Sequence, residues 1–177
     1  AICMILELIA SRLLSPYFGS SNIVWTSVIG IILLSSSIGN YLGGKIADKN
    51  NIEKNLKFIL MATSIFILII PFLQSNILTI ISKYIENIKI GAIISTIFLF
   101  FIPSLGMGLL TPIILRLKLN NMQTAGKTTG TINAIATIGG ITGTFLGGFL
   151  LIPNLGSINI LLILVILLVW LIPLVNF

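Results

Sequence analysis

The stretch GTINAIATIGGITGTFLGG, residues 130–148, is apolar enough to cross a membrane, yet it is crowded with glycine, which weakens a helix interior in water. Gly139, Gly143 and Gly147 recur at every fourth residue and therefore share one face of a helix. In lipid, helices gain little by burying apolar surface against each other, and they associate through close packing that small residues permit. The stretch predicts a membrane helix with a groove that seats a neighbouring backbone.

Small residues also line an adjoining strip of this helix and one face of an earlier apolar segment. A double strip over about three turns is far more specific than a single match to a small-x3-small pattern. The pattern leaves open whether such packing is static or slides during transport. We predict a packing role for Ser35, Gly39 and Gly43 in the earlier segment, and for Gly130, Gly139, Gly140, Gly143, Gly147 and Gly148 in the later one.

The composition of the whole chain agrees with lipid as its solvent. Hydrophobic residues make up 56% of the 177 and charged residues 8%, with a mean hydropathy of +1.16. A soluble domain carries about 25% charged residues, so that class is excluded. The net charge of +6 comes mostly from lysines in short loops, which membrane topology explains better than a nucleic-acid partner does. Because the chain has no histidine and one cysteine, Cys3, we expect no metal site, no disulfide framework and no cofactor.

Apolar runs bounded by polar or Gly/Pro breaks predict an all-α, polytopic membrane protein that forms one domain, residues 1–177. Residues 76–89 place apolar side chains at helical spacing opposite a polar face, which is typical of a short helix lying in the membrane interface. Six transmembrane helices are expected, at residues 1–14, 22–44, 58–73, 90–114, 128–152 and 157–175.

The first of these runs is shorter than the roughly 20 residues that a span needs. The chain also begins at Ala1 without a methionine, so we expect that further residues precede it. A signal peptide is the alternative interpretation. Such peptides do not normally hold a carboxylate such as Glu7, and this run ends without a small-residue cleavage motif.

Basic residues set the expected orientation, because cytoplasmic loops carry an excess of lysine and arginine. Seven of the ten basic residues follow the second and fourth spans, and three lie on the opposite side. With six spans, both termini are then expected in the cytoplasm, for a multi-pass protein of the cell membrane.

Glu7 is the residue that lipid tolerates least. It precedes Pro16 by nine residues, which places it about 13 Å below the end of its helix and close to mid-membrane. By default, an intramembrane carboxylate faces the bundle interior or a wet cavity. Two interpretations stay open: a protonated or hydrogen-bonded residue that locks helix packing, or a coupling site for a proton or a cationic substrate. In the second case we expect Asn40 and Asn133 to line the site, although an interhelical hydrogen bond is the more common role of either residue by itself.

The fourth span contains four residues that weaken a helix or permit a bend, Pro103, Gly106, Gly108 and Pro112. They predict an interruption of this helix. Broken helices often line substrate sites in transporters, because their freed carbonyl groups can coordinate cations. A kinked helix with a purely structural role is the alternative.

The loop after the second span, GKIADKNN at residues 44–51, resembles the first half of the major facilitator superfamily (MFS) signature G-x-L-A-D-R-x-G-R-K. Gly44 and Asp48 match this signature and Lys49 is a conservative replacement, whereas residues 51–53 do not match its second half. The resemblance implies a gating loop made by Gly44, Asp48 and Lys49, in which the aspartate caps and charge-locks a cytoplasmic helix junction.

The fifth span resembles a second MFS signature, G-x8-G-x3-G-P-x2-G. Thr144 stands at the proline position of that signature, and its glycines fall at Gly130, Gly139, Gly143 and Gly147. Together the two signatures imply the N-terminal six-helix half of the MFS fold. The arginine that the family usually carries in its fourth span has no counterpart here, which argues against the family's proton-coupled antiport.

Two longer blocks, residues 7–48 and 125–157, resemble the membrane region of fused MFS/spermidine synthase proteins. That resemblance implies a membrane module that works with a cytoplasmic aminopropyltransferase domain or subunit. The transferase is not within these 177 residues, because they hold no Gly-rich nucleotide loop between a strand and a helix, and Asp48 is their only aspartate. The chain itself therefore carries no catalytic motif.

Three hypotheses about function follow from these observations. In the first, the chain is the membrane module of a spermidine synthase-like protein, which anchors the enzyme or carries a polyamine or a related solute. In the second, it is a stand-alone MFS-like half-transporter that acts as a homodimer, since six helices are half of the usual twelve. The third is an assembly subunit that transports no solute.

Overall fold

The computed structural model describes residues 1–48, 51–119 and 125–175, and within these ranges every regular element is a helix. The predicted all-α class is confirmed. Helices form because lipid leaves each backbone N–H and C=O no partner other than the chain itself. The elements, in chain order, are α1 (Ile2–Phe18), α2 (Asn22–Ala47), α3 (Ile52–Tyr84), α4 (Ile88–Lys118), α5 (Ala125–Phe145), a π-helix (Leu146–Leu151) and α6 (Ile152–Leu171).

Two glycines reverse the chain at one end of the helix bundle. Gly19 ends α1 with φ 79° and ψ 165°, and Gly156 interrupts α6 with φ 73° and ψ 160°. Residues with a Cβ atom rarely adopt a positive φ, so glycine suits both positions. α1 continues beyond its predicted end, through Pro16 to Phe18. We call this end of the bundle the Gly19 end, and the opposite end, where α2 gives way to α3, the Asp48 end.

Four segments of the described chain are long and apolar enough to cross a membrane, namely α2, α3, α4 and the helical run Ala125–Leu171. This finding supports a membrane protein, but it does not support the predicted count of six spans. α1 has 17 residues, which is about 25 Å and less than a hydrocarbon core of about 30 Å. The predicted fifth and sixth spans fall within one helical run, Ala125–Leu171, which is interrupted by non-helical φ and ψ at Gly156.

Within the run Ala125–Leu171 the chain turns back on itself at Gly156. Gly143 lies against the start of α1 at the Asp48 end, and Ser157 lines a cavity with the last turn of α1 at the Gly19 end. Leu171 then lines a cavity with the first turns of α3, back at the Asp48 end. The two arms of the run therefore extend in opposite directions between the two ends of the bundle.

α3 continues without a break to Tyr84, so the separate interfacial helix predicted at residues 76–89 is wrong. Packing of its buried face favours one continuous helix over a turn near Ser75. Residues 85–87 then separate α3 from α4. The buried face runs on through the predicted boundary at helical spacing, with Ile67, Ile70, Gln74, Leu78 and Ile81.

α4 is one continuous helix, which contradicts the interruption predicted at Pro103, Gly106, Gly108 and Pro112. Both of these glycines are instead positions of close contact. Gly106 packs against Thr63 of α3, and Gly108 packs against the backbone of Ser36 in α2. Lipid offers the backbone no water to bond with, so the helix persists through residues that would weaken it in water.

α2 and α4 pack backbone to backbone along a line that we call the α2–α4 seam, formed by Ser35, Ser36, Gly39 and Gly43 of α2 and by Ser104, Gly108 and Pro112 of α4. A Cβ atom added to Gly43 would lie 2.7 Å from the carbonyl oxygen of Leu109 and 2.7 Å from the Pro112 ring. The Ser35 hydroxyl donates a hydrogen bond across the seam to the carbonyl oxygen of Phe101. Small side chains at four-residue spacing allow this approach.

Enlarging Gly43 should destabilise the protein. Gly43→Ala places a methyl group 2.7 Å from atoms of a backbone and a proline ring, which have little freedom to move. We expect the free energy of unfolding to fall by about 1–3 kcal/mol. Gly44→Ala is the matched control, because no described atom lies within 4 Å of a Cβ atom added there. Thermal unfolding in detergent compares the two variants, and equal melting temperatures would contradict the contact described at the seam.

Candidate functional site

α1 is the central helix of the bundle, since it contacts α2, α3, α4, α5, α6 and the π-helix. Leu6, Ile9, Ala10 and Leu14 are completely buried among these neighbours. The sequence suits this position because α1 is apolar on nearly all sides, as is expected of a helix that others surround. One strip of α1, which holds Glu7, is left partly open.

Glu7 is half-buried, and helical spacing places it on the side of α1 that faces the gap between α2 and α5. On one side of this gap Cys3, one turn before Glu7, lies beside Ser36 of α2. On the other side Met4 lies against Gly140 of α5, and Leu8 lies against Gly147 and Gly148 of the π-helix. Within the described chain, neither a hydrogen bond nor an ion pair reaches the Glu7 carboxylate. A half-buried carboxylate in this situation is a candidate site for a cation.

The glycines of α5 and of the π-helix lie against α1 and bring this part of the chain alongside Glu7. A Cβ atom added to Gly143 would lie 2.7 Å from the Cα atom of Ala1, and one added to Gly147 would lie 3.2 Å from Ile5. No described atom lies within 4 Å of a Cβ atom added to Gly130. The corresponding contacts are looser, at 3.7–3.8 Å, for Gly139, Gly140 and Gly148.

The structure does not bring Asn40 and Asn133 together with Glu7, and both asparagines are exposed. Cys3 and Ser36 mark one level of the bundle. Glu7 lies one turn from that level toward the Gly19 end, and Asn40 one turn toward the Asp48 end, so about 12 Å separates them along the bundle axis. Asn133 lies about 15 Å along α5 from the point where α5 meets the start of α1, again toward the Asp48 end.

Charged side chains surround a cavity of about 500 Å³ at the Asp48 end, between α2, α3 and α4. Asn51 begins α3 with φ 68°, a left-handed conformation that asparagine tolerates better than most residues. Lys49, predicted to act in gating, lies outside the described residues, and no described atom lies within 4 Å of a Cβ atom added to Gly44. Sequence reasoning missed Arg116 as a neighbour of this loop, although opposite charges after the second and fourth spans were an available signal. The polar lining consists of Asp48, Asn51, Glu53, Lys54 and Arg116.

Arg12 of α1 lies between two cavities at the Gly19 end. Gln74 of α3 is buried at one of them, and its carbonyl oxygen has no hydrogen-bond partner among the residues described. Sequence reasoning missed Gln74, although an amide within an apolar helix was an available signal. Besides Arg12, the cavity of about 350 Å³ is lined by Ser11, Ser15 and Trp25, and the cavity of about 390 Å³ by Tyr17, Gln74 and Ser157.

No protein-family model matches the chain, and neither a curated protein nor a solved structure matches it. Evidence for a function therefore comes from the side chains described above. Glu7 carries most of it, because a carboxylate within lipid is costly unless a ligand or a partner compensates for lost water.

Cys3 tests whether the strip that holds Glu7 is hydrated, because it shares this strip and the chain has one cysteine. We expect a small charged methanethiosulfonate reagent to modify Cys3 in the membrane-embedded protein, since such reagents react from water. A Leu6→Cys substitution in a Cys3→Ser background is the control and should stay unreactive, because Leu6 is completely buried. Mass spectrometry of the intact protein measures modification. A Cys3 thiol that reacts only after denaturation would show that the strip is dry.

Proposed function

We propose that this chain is the integral membrane module of a spermidine synthase-like protein and that it carries a polyamine or a related organic cation. The observation that supports this most is Glu7, which lies half-buried on the central helix without an ion pair among the described residues. The resemblance of residues 7–48 and 125–157 to fused MFS/spermidine synthase proteins suggests a polyamine as the cation.

The proposal includes an MFS-like half bundle of six spans. In it, α1 and the two arms of the run Ala125–Leu171 cross the membrane together with α2, α3 and α4. The direction of the two arms between the Gly19 end and the Asp48 end supports this arrangement. The basic loops favour the Asp48 end as cytoplasmic, which places the two ends of the chain on the side of an aminopropyltransferase domain or subunit.

A carboxylate at the depth of Glu7 binds an ammonium group strongly because little water screens the pair. Two unit charges 4 Å apart attract each other by about 4 kcal/mol at an effective dielectric constant of 20, against about 1 kcal/mol in bulk water. Arg12 lies about 8 Å from Glu7 along α1, toward the Gly19 end, and repels further ammonium groups on that side. The polyamine chain is therefore expected to extend from Glu7 past Met4, toward the Asp48 end.

Glu7→Gln should abolish polyamine uptake and weaken polyamine binding. Loss of an attraction of about 4 kcal/mol corresponds to a Kd that rises by up to about 10³-fold. Uptake of radiolabelled spermidine into vesicles that contain the pure protein measures transport, and equilibrium dialysis measures binding.

Glu86→Gln is the matched control for this experiment, because Glu86 is exposed between α3 and α4. It should retain both binding and uptake. Spermidine uptake that survives Glu7→Gln would remove Glu7 from the mechanism. A wild-type protein that neither binds nor transports an organic cation would leave the assembly subunit as the remaining hypothesis.

A stand-alone half-transporter that acts as a homodimer is the second candidate, and the surface of α5 favours it. Gly143 is the one buried residue of α5, which is described over its whole length. The exposed apolar side chains on this helix include Ile135, Ile138, Ile141 and Phe145. A face of this width is covered by lipid or by another protein surface.

Counting chains in lipid nanodiscs by single-molecule photobleaching separates the two candidates. The homodimer requires two chains in each particle, whereas the membrane module functions with one. Particles with a single chain that still transport spermidine would exclude the homodimer. Reading the gene beyond Phe177 gives a complementary result: a stop codon with no adjacent synthase gene would count strongly against the membrane-module hypothesis.

A further inference from the structure

A groove of about 450 Å³ lies on the surface of the bundle at the Gly19 end, where the first turns of α2 and α4 run side by side. We propose that this groove binds one acyl chain of an anionic phospholipid, whose phosphate contacts Lys89. The proposal is independent of the solute that the bundle carries, because the groove shares no residue with the gap that Glu7 faces. The lining includes Asn22, Ile23, Gly30 and Ile31 of α2 and Lys89 and Ile93 of α4.

The body of the groove suits a hydrocarbon chain. Ile23, Ile31 and Ile93 line it with apolar side chains. Thr26 and Ser27 also line it, but their hydroxyl groups donate to backbone carbonyl oxygens of α2 at 2.7 and 2.8 Å. These hydroxyl groups have no proton left to donate, so a ligand that only accepts hydrogen bonds gains none from them.

Gly30 forms a notch in the floor of the groove. No described atom lies within 4 Å of a Cβ atom added there, so Gly30, unlike Gly39 and Gly43 on the same helix, seats no described helix of this chain. From Asn22 to Gly30, α2 rises about 12 Å, and one leaflet of the hydrocarbon core is about 15 Å thick. The groove therefore matches the depth that one acyl chain occupies.

Lys89 supplies the charge that a lipid phosphate needs. It is exposed in the first turn of α4, and among the described residues that line the groove it is the one charged side chain. Glu86 precedes it by three residues but does not line the groove. A basic residue at the polar edge of an apolar groove favours a lipid with net negative charge over one whose headgroup carries its own cation.

The test uses the full chain, purified in detergent, with palmitoyl-oleoyl phosphatidylglycerol or the phosphatidylcholine of the same acyl chains. Native mass spectrometry counts the retained lipids, and the wild-type protein should retain phosphatidylglycerol preferentially at one saturable site. Lys89→Gln should raise the apparent Kd for phosphatidylglycerol about fivefold and leave that for phosphatidylcholine unchanged. Lys83→Gln is the charge control, because Lys83 is exposed in the last turn of α3 and does not line the groove.

Gly30→Leu fills the notch without displacing a described neighbour, so the fold should survive, which an unchanged melting temperature verifies. This variant should bind both lipids at the site about tenfold more weakly or worse, because the leucine occupies the space of the acyl chain. Gly126→Leu is the control for the added side chain, since no described atom lies within 4 Å of a Cβ atom there either.

Three results would overturn the proposal. The first is equal retention of the two lipids by the wild-type protein, and the second is full retention of phosphatidylglycerol by Gly30→Leu. The third is a dimer that Gly30→Leu dissociates while lipid retention is unchanged, because the groove would then hold a second copy of the chain.

Discussion

Backbone-to-backbone contact between α2 and α4 is the interaction on which the rest of the bundle depends. In lipid, burial of apolar side chains against each other releases no water, so stability comes from dispersion contacts, interhelical hydrogen bonds and backbones that satisfy themselves. Gly39 and Gly43 let α4 approach until main-chain atoms of the two helices touch. Ser35 adds a hydrogen bond to the Phe101 carbonyl group. The resulting pair forms a firm wall for α1, which contacts both of its helices.

Because the surroundings are lipid, the presence of a carboxylate at Glu7 needs a physical explanation. A leucine at this position would give α1 similar packing without removing a charge from water. Replacement of a buried ionic group by an apolar residue of similar size is often neutral or stabilising. Packing therefore gives no reason for a carboxylate on the central helix. Its position between Cys3, which lies beside α2, and Met4, which lies against α5, sets it where two helices leave a gap. The proposed binding of a cation at Glu7 supplies the reason that packing does not.

Composition and the lengths of the apolar runs are enough to predict the helical class and the contact with lipid, because a membrane leaves a backbone few alternatives. They do not predict the register of one helix against another. The separation of Asn40 and Asn133 from Glu7 along the bundle therefore could not be predicted. The glycines of α4 illustrate a second limit. Helix propensities are measured in water, so they underestimate helix formation by these glycines in lipid. The residues that the glycines contact, Thr63 and Ser36, belong to other helices. The end of α3 likewise depends on the helices that its buried face contacts, which the sequence of α3 alone does not reveal.

The π-helix between α5 and α6 keeps the same side of this region facing the interior of the bundle. The backbone N–H of Ile152 donates to the carbonyl oxygen of Gly147, five residues earlier instead of four. Residues five apart on an α-helix point about 140° away from each other. The wider π turn instead stacks them, and Gly147 and Ile152 are both buried. One extra residue per turn thus cancels the angular drift that would carry Ile152 outward, and the buried side of the chain still faces inward when it reverses at Gly156.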